Sequence, residues 1–219
     1  GTTWTDISGS GFNGTLTNGT SYSSDNNGSF IFDGINDYVL LPTSSTLDFT
    51  SGNFTLESWV KVDPACPTVG RIFEKNYSNG YALMFDSNGN LAFEVNGNSS
   101  RTVASANYKN NTWYHFVAIK TGTTTASLYV NGINVANGSI VGNPTNTGAL
   151  SIAAAHILGT IGWFKGSISL IRAYNRGLSS AEVLQNFNAL GVVASSTPNV
   201  TYTVTPVNGA KLANSAIPI

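Results

Sequence analysis

A chain of 219 residues is long enough for one domain with a full hydrophobic core and needs no second one. Charged residues make up 10% of it and the net charge is −1, which excludes the basic face that nucleic acid or acidic lipid requires. Although 41% of the residues are apolar, no run approaches the roughly 20 that a spanning helix needs, so membrane insertion is not expected either.

In chain order, a polar stretch rich in Ser, Thr, Asn and Gly comes first; it begins at Gly1 without a signal sequence and is read as a mature or excised product. Next, 29-SFIF-32 and 38-YVLL-41 flank 33-DGIND-37, where Asx residues and Gly suit the tip of an early hairpin. Alternation of apolar and polar residues then predicts strands at 54-FTLESWVKV-62, 81-YALMFD-86, 90-NLAFEV-95, 112-TWYHFVAIK-120, 126-ASLYV-130 and 166-GSISLIRAY-174. Asn88-Gly89 and Asn131-Gly132 connect neighbours as type I′ turns, in which both central residues take positive φ. Cys66, the only cysteine, lies in 64-PACP-67 and can form neither an internal disulfide nor a thiolate metal cluster.

One helix is expected, over 179-SSAEVLQNFNAL-190, with Ser179 and Glu182 as a capping box and Val183, Leu184, Phe187 and Leu190 as its apolar face. Beyond it the character changes. Pro and Ser interrupt 192–219 around the strand-like 200-VTYTV-204, so 1–191 is read as the domain and 192–219 as a linker with a detached strand-like tail. That tail could pack on this domain, begin another, or pair with a neighbouring chain by strand addition.

The succession FDGINDYVLLP, FTLESWVKV, IFEK…GYALMF, WYHFVAIK…SLYVNG and ILGTIGWFKGSISLIRAYNRGLSSAEV resembles the laminin-G-like, concanavalin A-like lectin/glucanase jelly roll over roughly 29–190. The resemblance implies two antiparallel sheets; strand spacing alone leads to an all-β sandwich with one short C-terminal helix. The closing YNRGLSSAEVLQNFNAL also resembles modules of bacterial surface proteins and phage structural or fibre proteins.

Fold does not decide function, because this scaffold serves lectins, hydrolases and spacer modules alike. Glycoside hydrolysis needs two carboxylates flanking the bond. No Glu-x-Asp-x-x-Glu motif of the jelly-roll glucanases is present, and after Glu94 the only acid is Glu182, which the capping box explains. His115 and His156 sit in strand-like runs and are read as structural, which argues against a polysaccharide lyase; no catalytic residue is assigned.

Calcium-binding relatives place acidic ligands on loops that here read 76-NYSNG-80 and 160-TIGWFKG-166, without a carboxylate. A second family position, in 166-GSIS-169, has Ser169 where a carboxylate would stand. Asp6, Asp33 and Asp37 are the remaining metal candidates, and calcium is the only cofactor they suggest.

Sugar sites combine exposed aromatic faces with amide and guanidinium donors on loops. By type the candidates are Trp163, Tyr77, Tyr108, Arg71, Arg101, Asn76 and Asn79. The expected function is a non-catalytic recognition or adhesion module of an extracellular, cell-surface or virion protein, with a glycan or surface protein as partner. The competing reading is a structural subunit or decoration domain that self-associates, or docks on neighbouring subunits, through 192–219.

Overall fold

The computed structural model describes residues 1–50, 52–67, 69–76, 78–97, 101–155 and 162–191. Tyr77, His156 and the tail 192–219 lie outside the described residues. The strands are β1 (Thr3–Trp4), β2 (Gly14–Thr17), β3 (Ser21–Ser23), β4 (Ser29–Asp33), β5 (Tyr38–Leu40), β6 (Phe54–Val62), β7 (Arg71–Lys75), β8 (Tyr81–Phe85), β9 (Leu91–Val95), β10 (Arg101–Ala104), β11 (Trp113–Thr121), β12 (Thr125–Val130), β13 (Ile133–Ser139), β14 (Ser151–Ile152) and β15 (Lys165–Tyr174). The helix α1 covers Ser180–Gly191. Among the described residues no helix is long and apolar enough to cross a membrane.

Two antiparallel sheets face each other, one in the order β1-β2-β5-β14-β7-β8-β9-β10 and the other β13-β12-β11-β6-β15-β4-β3. Alternation along each strand sends one set of side chains between them. Phe54, Tyr81, Phe85, Phe93 and Phe116 are fully buried there. Phe49 stacks on Phe54 at 4.7 Å and Phe85 meets Phe116 edge-on at 5.5 Å. Each such ring contributes about 1.5–3 kcal/mol through burial alone, which is why the sandwich holds together without a disulfide.

β6 is buried on both faces because α1 covers its outer side. The capping box forms as expected: the Ser179 amide donates to Glu182 Oε2 at 2.8 Å and the Glu182 amide to Ser179 Oγ at 3.3 Å. Val183 then packs with Val117, Ile119 and Leu178, and Phe187 stacks on Trp59 at 5.8 Å. Beneath the helix the buried Glu57 carboxylate is fully engaged. Its Oε1 accepts from His115 Nε2 at 3.0 Å and Arg172 Nη1 at 3.1 Å, and its Oε2 from Tyr174 at 2.7 Å and Asn186 Nδ2 at 2.9 Å. His115 is thus the anchor of a packed network, as a structural histidine should be.

Two local expectations are corrected. The stretch 33-DGIND-37 is not a hairpin: β4 and β5 belong to different sheets, so it is a corner where the chain crosses the sandwich. A short Asx- and Gly-rich turn looks the same in sequence whether the strands it joins pair or part. Asn131-Gly132 does turn with both φ positive, at 51° and 79°. Asn88-Gly89 does not, having positive φ at Gly89 alone, because the Asp86 carboxylate accepts the Asn88 and Asn90 amides and builds a longer, capped loop.

Candidate functional site

The outer face of the eight-stranded sheet carries an unusual row of side chains. Register places Thr15, Leu40, Ser151, Glu74, Ala82, Glu94 and Arg101 side by side across it. Phe73, Leu83, Phe93 and Val95 point the other way, into the core. Strand alternation therefore forces the glutamates outward, and the small Ala82 between them leaves room for a guanidinium to lie across β8.

That guanidinium belongs to Arg71. Its Nε contacts Glu74 Oε2 at 2.8 Å and its Nη1 reaches Glu94 Oε2 at 3.4 Å while resting on the Met84 sulfur. Glu94 passes the charge on, since its Oε1 meets Arg101 Nε at 3.0 Å. Glu74, Glu94 and Arg71 are buried, but 27% of the Arg101 side chain remains exposed. Arg101 is the end of the chain that solvent can reach, and its ion pair with Glu94 ties it to the buried row. The Arg101 guanidinium is therefore within reach of a ligand while its Nε stays paired to a buried carboxylate.

Toward the opposite side of this face the half-buried Trp163 packs on Tyr38 of β5, ring centroids 6.1 Å apart. Gly162 sits directly over Arg71, its carbonyl accepting the Arg71 amide at 3.1 Å. The structure thus brings Trp163, Arg71 and Arg101 to one face, two of them joined through Glu94.

The remaining candidates are dispersed. Asn76 takes a left-handed φ of 47° and its side-chain oxygen accepts from Ser78, which closes the turn after β7. Asn79 is exposed and ties that turn to the 145–146 segment, accepting from the Thr145 amide at 2.8 Å and Asn146 Nδ2 at 3.1 Å. Tyr108 is a correction: it is buried between the sheets against Tyr114 and Phe116, each at 5.2 Å, and offers no exposed platform. Arg71 is corrected in the same way, from an open ligand-binding group to a buried ion-pair partner that aligns its neighbours.

The three aspartates each serve backbone donors instead of converging. Asp6 accepts the Ser8 and Phe12 amides at 2.8 and 2.9 Å. Burial pushes its carboxyl up, and those N–H donors together with that of Gly11 outweigh this and hold it below the ordinary range. Asp33 Oδ1 accepts the Ile35 and Asn36 amides. Asp37, buried, accepts Gly19 and Asp33. Calcium takes six to eight oxygens, whereas these carboxylates point into three separate N–H cradles. Among the described residues no group of three or more His, Cys, Asp or Glu is placed to hold a metal.

Sequence reasoning missed Glu74, Glu94 and Glu57. A signal existed: each stands alternately with apolar residues in a strand, in 71-RIFEK-75, 91-LAFEV-95 and 54-FTLESWVKV-62. A charge on the non-core side of a strand marks the outer face, but only pairing reveals which charges meet.

A model of the concanavalin A-like lectin/glucanases superfamily matches residues 33–184. No curated protein matches the chain in sequence. Among solved structures, the fold is similar to the binding domain of Paraclostridial mosquitocidal protein 1, with TM-score 0.70 and 16% identity over 84% of this chain and 49% of that one. It is also similar to the binding domain of botulinum neurotoxin DC in complex with SialylT, with TM-score 0.66, 13% identity and 85% and 48% coverage. The same toxin domain in complex with rat synaptotagmin II gives TM-score 0.64 and 12% identity over 85% and 48%. The chain spans about half the length of each, and at these identities the likeness is one of fold.

Proposed function

The chain belongs to the concanavalin A-like lectin/glucanases superfamily, and we propose that it works as a non-catalytic recognition module of an extracellular, cell-surface or virion protein, with a surface glycan as its ligand. The observation that carries this reading is Arg101: a partly exposed guanidinium at the end of a buried ion-pair chain, its Nε 3.0 Å from Glu94 Oε1. Such a fork suits a sugar carboxylate or a pair of hydroxyls, because two parallel N–H bonds fix orientation as well as affinity. Trp163, leaning on Tyr38, supplies an aromatic edge for a sugar face.

Tyr38 is on β5 and Arg101 on β10, five interstrand spacings away. At about 4.8 Å each this is roughly 24 Å. One sugar cannot touch both, so the ligand is a chain of several sugars or engages one end. The binding domains whose fold it shares, one of them solved with SialylT, lend support to an acidic glycan. A non-catalytic role is supported by the state of the buried carboxylates: Glu57, Glu74 and Glu94 are each held by a guanidinium. A carboxylate held in this way is not free to protonate a glycosidic oxygen or to activate water, as glycoside hydrolysis needs.

The test is a glycan array carrying acidic and neutral oligosaccharides, with and without calcium. Binding to an acidic oligosaccharide should fall at least ~10-fold in Arg101→Ala, a loss of about 1.4 kcal/mol. Tyr22→Ala, exposed on the other sheet, should leave it unchanged. An empty array, or hits indifferent to both Arg101→Ala and Trp163→Ala, rejects the reading.

A further inference from the structure

The partners of β15 change along its length. Lys165–Ile168 are flanked by β4 and β6, but from Leu170 to Tyr174 only β6 pairs, and no strand among the described residues takes the other edge. Beside this half-open edge lies a cleft of about 530 Å³ between the sheets, with Val39, Phe49 and Phe73 at its base. Ile171 and Ala173 are paired with Ser58 and Leu56, so they point between the sheets. Ala173 is nevertheless exposed, and Ile7 at the mouth is 80% exposed. An inward-facing apolar position open to water is a core site lacking its cover.

We propose that this edge and cleft form a strand-acceptor groove whose occupant is the chain's own 200-VTYTV-204 segment. Over these five residues the backbone groups that do not pair with β6 face this edge, and an added strand satisfies them. The segment is also five residues long and alternates in sequence, so that as an added strand it would turn Val200, Tyr202 and Val204 to one side and Thr201 and Thr203 to the other. The first set fills an apolar cleft, and the second stays in water.

Reach favours it as well. Phe187 stacks on Trp59, which pairs with Leu170, so the second half of α1 returns to the level where the open edge begins. The eight residues 192–199 extend up to about 26–29 Å. That exceeds the descent of about 10 Å from helix to sheet plus one strand spacing of about 5 Å. A tether this short sets an effective concentration in the millimolar range, which favours the chain's own segment over a second copy.

Disulfide trapping in the full chain tests the assignment. Ala173→Cys is combined in turn with Val200→Cys, Tyr202→Cys and Val204→Cys, with Lys211→Cys as the comparison, and each is oxidised mildly; Cys66 is buried and stays apart. A monomeric cross-linked product with one of the three, and none with Lys211→Cys, is expected. A dimeric product makes the occupant a second copy, and no product leaves the groove without this occupant; either overturns the proposal. Independently, those amides of 170–174 that point away from β6 should exchange at least 10-fold faster in Tyr202→Pro than in the unaltered chain. Equal rates overturn it.

Discussion

The Asp37 carboxylate accepts the Gly19 amide at 2.6 Å, across 18 residues of chain. Gly19 stands between β2 and β3, and Asp37 between β4 and β5; both are places where the chain passes from one sheet to the other. The second oxygen of Asp37 accepts the Asp33 amide at 3.0 Å. One buried acid therefore clasps two corners of the sandwich.

Removing that clasp orphans two amides. Asp37→Ala should cost about 1–3 kcal/mol in urea unfolding, the usual range for a lost buried acceptor. Asp33→Ala, which loses an exposed turn contact, should cost less than about 1 kcal/mol. Added calcium or chelator should leave the melting temperature of the unaltered protein where it was; a rise with calcium that disappears in Asp37→Ala would return Asp37 to the metal ligands.

Glu57 joins β6, β11, β15 and α1 through one carboxylate. Glu57→Ala leaves Arg172 and His115 facing an empty, buried position and should cost about 3–5 kcal/mol by denaturant unfolding. A loss under about 1 kcal/mol would mean the network contributes little beyond the packing around it.

The same group predicts how stability depends on pH. Burial pushes the Glu57 carboxyl up, but His115, Arg172 and Tyr174 more than offset this and hold it below its ordinary value. Glu182, bonded to Arg176 and Ser179, is lowered to about 2. With folded values depressed, the unfolded chain takes up protons first as pH falls below the ordinary carboxylate range near ~4.3. Stability should be full above about pH 5 and decline toward pH 2. Melting curves at half-unit intervals should show a shallower decline for Glu57→Gln than for the unaltered chain.

Arg71 and Arg101 should separate by role. Arg71→Ala leaves Glu74 and Glu94 buried without the guanidinium between them and should cost about 3–5 kcal/mol. Arg101→Ala should cost no more than about 1 kcal/mol, since its side chain is partly in water. Thermal melts of the two variants decide between these outcomes.

Gly80 tests the loop before β8. A Cβ there would fall on the carbonyl oxygens of Lys75 and Asn76, which are backbone atoms that cannot rotate away. Gly80→Ala should therefore destabilise the protein by more than about 2 kcal/mol, whereas Gly52→Ala meets no neighbour and pays only for its positive φ.

By itself the sequence determined the sandwich, the long strands β6, β11 and β15, the capped helix and the low content of charge. These follow from period-two alternation, turn residues and composition, all of which act over a few neighbouring positions. Only the tertiary structure decided that 33-DGIND-37 is a corner, that Tyr108 is core, and that Arg71 and Arg101 meet on Glu94. Glu94 and Arg101 pair from adjacent strands, but Arg71 reaches Glu94 across 23 residues of chain. Alternation tells which face a side chain takes; register between strands, which depends on the whole sheet, tells what it meets there.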